Sequence, residues 1–122
     1  MEHKCGIIGI FGNDIIENLI DGLHNLQHRG YESCGISYAE NDKIITYKNT
    51  GLVREVFKDF KAPKSMCGIG HVRYYTTKKD KEKFLQEAQP FSNDIFSIAH
   101  NGNIPFIQKI KEQYENAEYV KL

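Results

Sequence analysis

A mixed α+β domain is the fold class this sequence predicts, and three stretches predict it. An isoleucine-rich run over residues 4–11 reads as a buried strand, apolar residues recur at helical spacing over 16–26, and short β-prone runs at 34–39 and 43–47 flank a polar turn. The 122 residues suit one compact unit, or an incomplete part of a larger one, on the usual expectation of about 100 to 200 residues per domain.

Taken in order, the first strand alternates weakly and is punctuated by Gly6, Gly9 and Gly12. Asn13 or Asp14 is placed to cap the helix carrying Ile16, Leu19, Ile20, Leu23 and Leu26, and Gly30 suits a left-handed helix stop. That helix should pack on the sheet. Glu40-Asn41-Asp42 supplies turn chemistry for a hairpin, and 52–60 contains a short helix. Runs at 66–72 and 95–99 read as two further strands, separated by the solvated charge run Lys78-Lys79-Asp80-Lys81-Glu82-Lys83. Asn103 can cap and Pro105 suits the first turn of a last helix with Phe106, Ile107, Ile110 and Tyr114 on its apolar side. Residues 118–122 look like the beginning of a strand, which suggests truncation.

Sixteen basic residues balance sixteen acidic ones, so bulk charge gives no argument for nucleic acid or an anionic membrane as partner. No apolar run approaches the roughly 20 residues that span a bilayer, and the first residues lack the layout of a secretory signal. A cytoplasmic protein is expected. Cys5, Cys34 and Cys67 are odd in number and lack CxxC pairing, so reduced thiols are expected rather than a metal site or a disulfide framework.

Cys5 is the most chemically suggestive residue. Were Met1 to Lys4 removed, it would carry a thiol and an amine on one carbon. A free thiol titrates at about 8.5 and an α-amine at about 7.7 to 8.0, so such an amine can accept the thiol proton near neutrality without a histidine. While Cys5 is internal, its nitrogen is an amide and offers no such base.

Four strings accompany Cys5-Gly6-Ile7: Gln27-His28-Arg29-Gly30-Tyr31-Glu32-Ser33, Gly68-Ile69-Gly70-His71-Val72-Arg73-Tyr74, Ala88-Gln89-Pro90-Phe91, and Ala99-His100-Asn101-Gly102-Asn103-Ile104. In this order and spacing they resemble the class II glutamine amidotransferase domain, and most specifically its amidophosphoribosyltransferase branch. Gly51-Leu52-Val53 followed by Val56-Phe57 points to the same branch. The glucosamine-6-phosphate synthase and asparagine synthetase families share the leading Cys-Gly-Ile and the Asn-Gly but differ in the strings between.

The resemblance implies an N-terminal nucleophile hydrolase fold, a four-layer αββα sandwich. This chain matches about its first half, without a phosphoribosyltransferase domain. It implies that Cys5 attacks the side-chain amide of L-glutamine, releasing ammonia and leaving a thioester for water to hydrolyse. By the same resemblance Asn101 and the Gly102 N–H form the oxyanion pair, where one donor is typically worth about 10²- to 10³-fold in rate. The plainer account of Asn101-Gly102 alone is a tight turn. Arg73 would hold the glutamine α-carboxylate through its planar fork, with Tyr74 and Thr76 shaping the pocket; the ordinary alternative is a surface arginine. Arg29 would organise the surroundings of the nucleophile, and His28 and His71 would be structural hydrogen-bonding residues.

The resemblance brings no cofactor and no metal. The partners implied are glutamine, a separate chain supplying the missing half or an ammonia-accepting synthase domain, and a homo-oligomer as one way to cover an exposed sheet face. Nucleic acid and membrane are not among them. Three positions depart from the family pattern: Tyr31 and Cys34 stand where Gln and Ala are usual, and Lys78 stands where a glycine-rich loop is. The family's Ser-Asp-Ser/Thr-Glu string, whose aspartate receives the substrate ammonium, does not follow residue 115, where the chain reads Asn116-Ala117-Glu118-Tyr119-Val120-Lys121-Leu122. A competing expectation is therefore a non-catalytic binding module of the same fold.

Overall fold

The computed structural model describes residues 5–74, 85–102, 109, 112 and 113. The elements are β1 (Gly6–Phe11), α1 (Ile16–Asn25), a 3-10 turn (Gln27–Arg29), β2 (Ser33–Glu40), β3 (Lys43–Thr50), α2 (Val53–Val56), β4 (Cys67–Arg73), β5 (Phe91–Ser92) and β6 (Ser97–Ile98). β1 to β4 form an antiparallel sheet in the order β1-β4-β2-β3, and β5 pairs with β6 in a separate two-stranded ribbon.

Strand alternation explains which side of the large sheet each element covers. Ile8 and Ile10 of β1, Cys34, Ile36 and Tyr38 of β2, and Val72 of β4 face the buried Ile16, Leu19 and Leu23 of α1 together with Val53, Val56 and Phe57. Tyr47, Phe57 and Phe60 close one end of this core, with ring centroids 4.6 to 5.5 Å apart. The opposite face of the sheet meets the 88–92 segment. Lys48 Nζ donates to the carbonyls of Ala88 at 2.7 Å and Pro90 at 2.9 Å, and the hydroxyls of Thr46 and Ser92 lie 2.6 Å apart. Helix, sheet and ribbon are thus stacked as successive layers. Part of this second face is open: Ile7 and Phe11 on it and Ile98 of the ribbon are exposed.

Several local expectations change on contact with the structure. Neither Asn13 nor Asp14 caps α1, whose preceding residue Ile15 makes no side-chain cap bond; Asp14 instead has a positive φ of 47° and helps turn the chain out of β1. The hairpin reaches further than the sequence suggests, because pairing runs from Glu40↔Lys43 at the turn to Ser33↔Thr50 at the strand ends. Its turn is made at Asn41 and Asp42, with φ of 50° and 59°, where short polar side chains tolerate the left-handed region. The 95–99 strand shrinks to Ser97–Ile98, since Asn93 Oδ1 accepts the N–H groups of Ile95 and Phe96 at 2.8 and 2.9 Å and holds a turn there. Of the expected helix after Pro105, Lys109, Glu112 and Gln113 are described and are helical, while its other residues, the charge run at 78–83 and the 118–122 strand lie outside the described residues.

Gly30 follows the 3-10 turn but is extended, with φ −175°, so it is not a left-handed stop. Its lack of a side chain serves close approach. A methyl group there would stand 2.5 Å from the Arg73 carbonyl oxygen and 2.8 Å from the Tyr74 nitrogen, both fixed backbone atoms. The Gly30→Ala variant is expected to lose about 1–3 kcal/mol of stability through this overpacking, seen as a lowered urea midpoint. An unchanged midpoint would show that the loop between α1 and β2 yields freely.

Candidate active site

The site is organised by the end of the large sheet at which β1 starts and β4 ends. Gly6 pairs with Val72, so Cys5 and Arg73 are the next residues outward at that end, and Ser33 lies opposite Arg73 on the other neighbour, β2. The 3-10 turn brings Arg29 to the same place, where its Nε donates to the Cys5 carbonyl at 3.2 Å. Gln27 fixes this turn from within: its Nε2 donates to the Gly30 carbonyl, and its Oε1 accepts the Val53 N–H at 2.8 Å. The second bond satisfies a donor at the start of α2, which has no side-chain N-cap.

The three thiols occupy different environments. Cys5 is partly exposed, Cys67 exposed and Cys34 fully buried on β2. Burial, reinforced by the nearby Glu55 carboxylate, pushes the Cys34 thiol up to about 12, which removes it as a nucleophile near neutrality.

Arg73 is not a surface arginine. It is buried, with Nε 3.0 Å from Glu32 Oε2 and one terminal nitrogen 2.9 Å from Glu87 Oε2. Its other terminal nitrogen is 3.5 Å from the Glu87 carbonyl oxygen. The guanidinium is therefore directed at two of the protein's own carboxylates. Tyr74 is half-buried and packs edge-on against the exposed ring of Tyr31, 5.9 Å away. Thr76 and Lys78, named above, lie outside the described residues, while His28 is exposed on the 3-10 turn.

His71 and Arg73 alternate on the same face of β4. His71 is fully buried, and its Nε2 lies 3.1 Å from the His100 carbonyl oxygen. A carbonyl only accepts, so Nε2 carries the proton and Nδ1 is bare; among the described residues nothing donates to Nδ1. The buried Gln89 accepts the His100 N–H through Oε1 at 2.6 Å. Asn101, exposed, and Gly102 follow at once, and the φ of 139° at Gly102 favours glycine. The sequence singled out Cys5, Arg29, Arg73, Asn101 and Gly102, but it gave Glu32, Glu87, Gln27 and Gln89 no role. All four belong to the matched strings or stand next to one, yet nothing in a linear sequence distinguishes an inward carboxylate from a solvated one.

Burial lowers the His71 imidazole to about 4; the positive charges of Arg73 and His100 act in the same direction, and the bond to the His100 carbonyl opposes them. The folded state thus prefers neutral His71, while an unfolded histidine titrates at about 6.5. Above that value His71 costs the fold nothing. As pH falls from about 6.5 to about 4 the unfolded chain takes up the proton first, and on the order of 3 kcal/mol of stability is lost. Urea midpoints should fall across this window, and His71→Gln should flatten the dependence; parallel curves would show that other groups dominate. Alkylation by iodoacetamide at pH 7.5 should modify Cys67 readily and spare Cys34 in the folded chain, read by peptide mass, whereas rapid Cys34 modification would mean that β2 opens.

Comparison with known proteins bears on the whole chain. No protein-family model matches it. An amidophosphoribosyltransferase of Methanothermobacter thermautotrophicus is 38% identical over 125 residues, which cover 94% of this chain and 26% of that protein. The Bacillus subtilis amidophosphoribosyltransferase is 35% identical over 123 residues, 95% of this chain and 25% of that one. One from Lacticaseibacillus casei is 33% identical over 124 residues, and the match covers 62% of it. Among solved structures, an allosteric regulatory enzyme of purine biosynthesis superposes with a TM-score of 0.77 at 33% identity, covering 95% of this chain and 26% of that one. Glutamine phosphoribosylpyrophosphate amidotransferase from B. subtilis, complexed with ADP and GMP, gives a TM-score of 0.73, also at 33% identity. The chain spans about a quarter of the length of the first of these relatives.

Proposed function

Because this chain belongs, over nearly its whole length, to the class II glutamine amidotransferases in their amidophosphoribosyltransferase branch, with the N-terminal nucleophile hydrolase fold, we propose that it carries the glutaminase half-reaction. The Cys5 sulfur adds to the side-chain carbonyl carbon of glutamine. The proton it gives up is held by the α-amine freed when Met1 to Lys4 are removed, and is passed to the departing nitrogen, so that ammonia leaves and a glutamyl thioester remains. Water then attacks the thioester, releasing glutamate and restoring the thiol. Asn101 and the Gly102 N–H donate to the oxygen that becomes negative in each tetrahedral intermediate.

The observation that carries this reading is the meeting of Cys5, Arg29 and Arg73 at one end of the sheet, with Arg29 bonded to the Cys5 carbonyl. Arg73 is the clamp for the glutamine α-carboxylate, with Tyr74 beside it, and the family resemblance gives Thr76 a share in the same task. The ammonia acceptor is a synthase domain or a second chain, cytoplasmic and working in purine nucleotide synthesis, and a homo-oligomer fits the open sheet face. Among the described residues no helix is long and apolar enough to cross a membrane.

One observation favours a second reading, a binding module without turnover: the Arg73 guanidinium already faces Glu32 and Glu87. Intact mass before and after exposure to diazo-oxo-norleucine separates the two. A glutaminase should begin at Cys5 in its mature form, gain one label, and lose labelling completely in Cys5→Ala. A mature chain that begins with Met1, takes no label and releases no ammonia would leave only the binding module.

A further inference from the structure

Two polar side chains that no step of the half-reaction uses are buried on either side of one residue, His100. His71 comes from the middle of β4, a strand hydrogen-bonded on both sides, and its Nε2–H donates to the His100 carbonyl at 3.1 Å. Gln89 comes from a segment tied to β3 by Lys48, which donates to the carbonyls of the residues flanking Gln89, Ala88 and Pro90, at 2.7 and 2.9 Å. Its Oε1 accepts the His100 N–H at 2.6 Å. His71 and Gln89 are at most 1% exposed, so water does not compete for either bond.

We propose that His71 and Gln89 are positioning residues, which by gripping the carbonyl and the N–H of His100 fix the direction in which Asn101 and Gly102 present their donors. The inference rests on the reading of Asn101 and Gly102 as the oxyanion pair. Asn101 is exposed and Gly102 adopts a φ of 139°, and a backbone held at both polar groups just upstream restrains the turn that follows. Oxyanion donors are effective only when already aimed at the place where charge develops, and displacement by about 1 Å can cost about 100-fold in rate. His71 and Gln89 touch neither substrate nor the reacting sulfur in this role; they act through the main chain.

The test compares His71→Met and Gln89→Met, which keep the volume and remove the hydrogen bond, with His71→Gln, which restores an N–H donor. For the full chain hydrolysing glutamine, either methionine variant should lower kcat about 10- to 100-fold with KM within about twofold of wild type. His71→Gln should recover most of kcat. In parallel, amide hydrogen exchange at His100, Asn101 and Gly102 should speed up in both methionine variants while Ile36, in the core of β2, stays protected. A fall in kcat matched by a rise in KM, no recovery in His71→Gln, or unchanged exchange at 100–102 would each overturn the proposal. If wild type releases no ammonia, the glutaminase reading fails instead, and exchange alone then decides whether the two side chains hold the turn. Loss of Ile36 protection in one methionine variant transfers the decision to the other.

Discussion

The central position of β4 is the constraint on which the rest of the site depends. Paired with β1 on one side and β2 on the other, it has its backbone groups committed along the strand, and its alternating side chains must be buried on both faces. One set, ending at Val72, completes the apolar core beneath α1. The other set places His71 and Arg73 in the interior on the opposite face, where polar groups persist only with partners. Everything chemically notable near the site answers that requirement. Glu32 and Glu87 face the guanidinium, and the His100 carbonyl meets the imidazole.

This arrangement makes the polar layer cooperative with the fold. Replacing one partner leaves the other buried and unsatisfied, a penalty larger than the net worth of the bond itself. The depression of His71 has the same origin, since burial strips water from a charged imidazole and the neighbouring guanidinium adds to the cost. The environment that suits neutral His71 as a donor also unfits it as a proton acceptor near neutrality. That agrees with a scheme in which the nucleophile brings its own base. Cys34 shows the complementary case: on the core side of β2, burial without a cationic neighbour turns a thiol into an inert packing group.

Arg73 sets the most consequential chemical question. Its fork suits a carboxylate, and in this structure the carboxylates it faces belong to the protein. Under the proposed function, substrate recognition through Arg73 would mean exchanging or sharing an internal ion pair, not filling an empty socket. Glu87 lies at the start of the segment that Lys48 fastens to β3, so its approach to Arg73 is coupled to the same loop that carries Gln89.

Sequence alone determined the existence and order of β1, α1, the hairpin and β4, because each carries its own periodicity or turn chemistry: isoleucines along the strand, apolar residues three and four apart on the helix, and Asn41-Asp42 at the bend. It also marked Cys5, Arg29, Arg73, Asn101 and Gly102, through strings whose residue types are unusual together. It failed where a residue's meaning lies in what it meets far along the chain. Gly30 looks like a helix stop but makes room for the Arg73 backbone, and Asn93 quietly shortens a strand by capturing two N–H groups. Glu32, Glu87 and Gln89 look like ordinary polar residues until the fold brings Arg73 against the first two and His100 against the third. Local preference reads only a few neighbours, whereas burial and pairing are decided by residues tens of positions away, and only the folded chain brings those together.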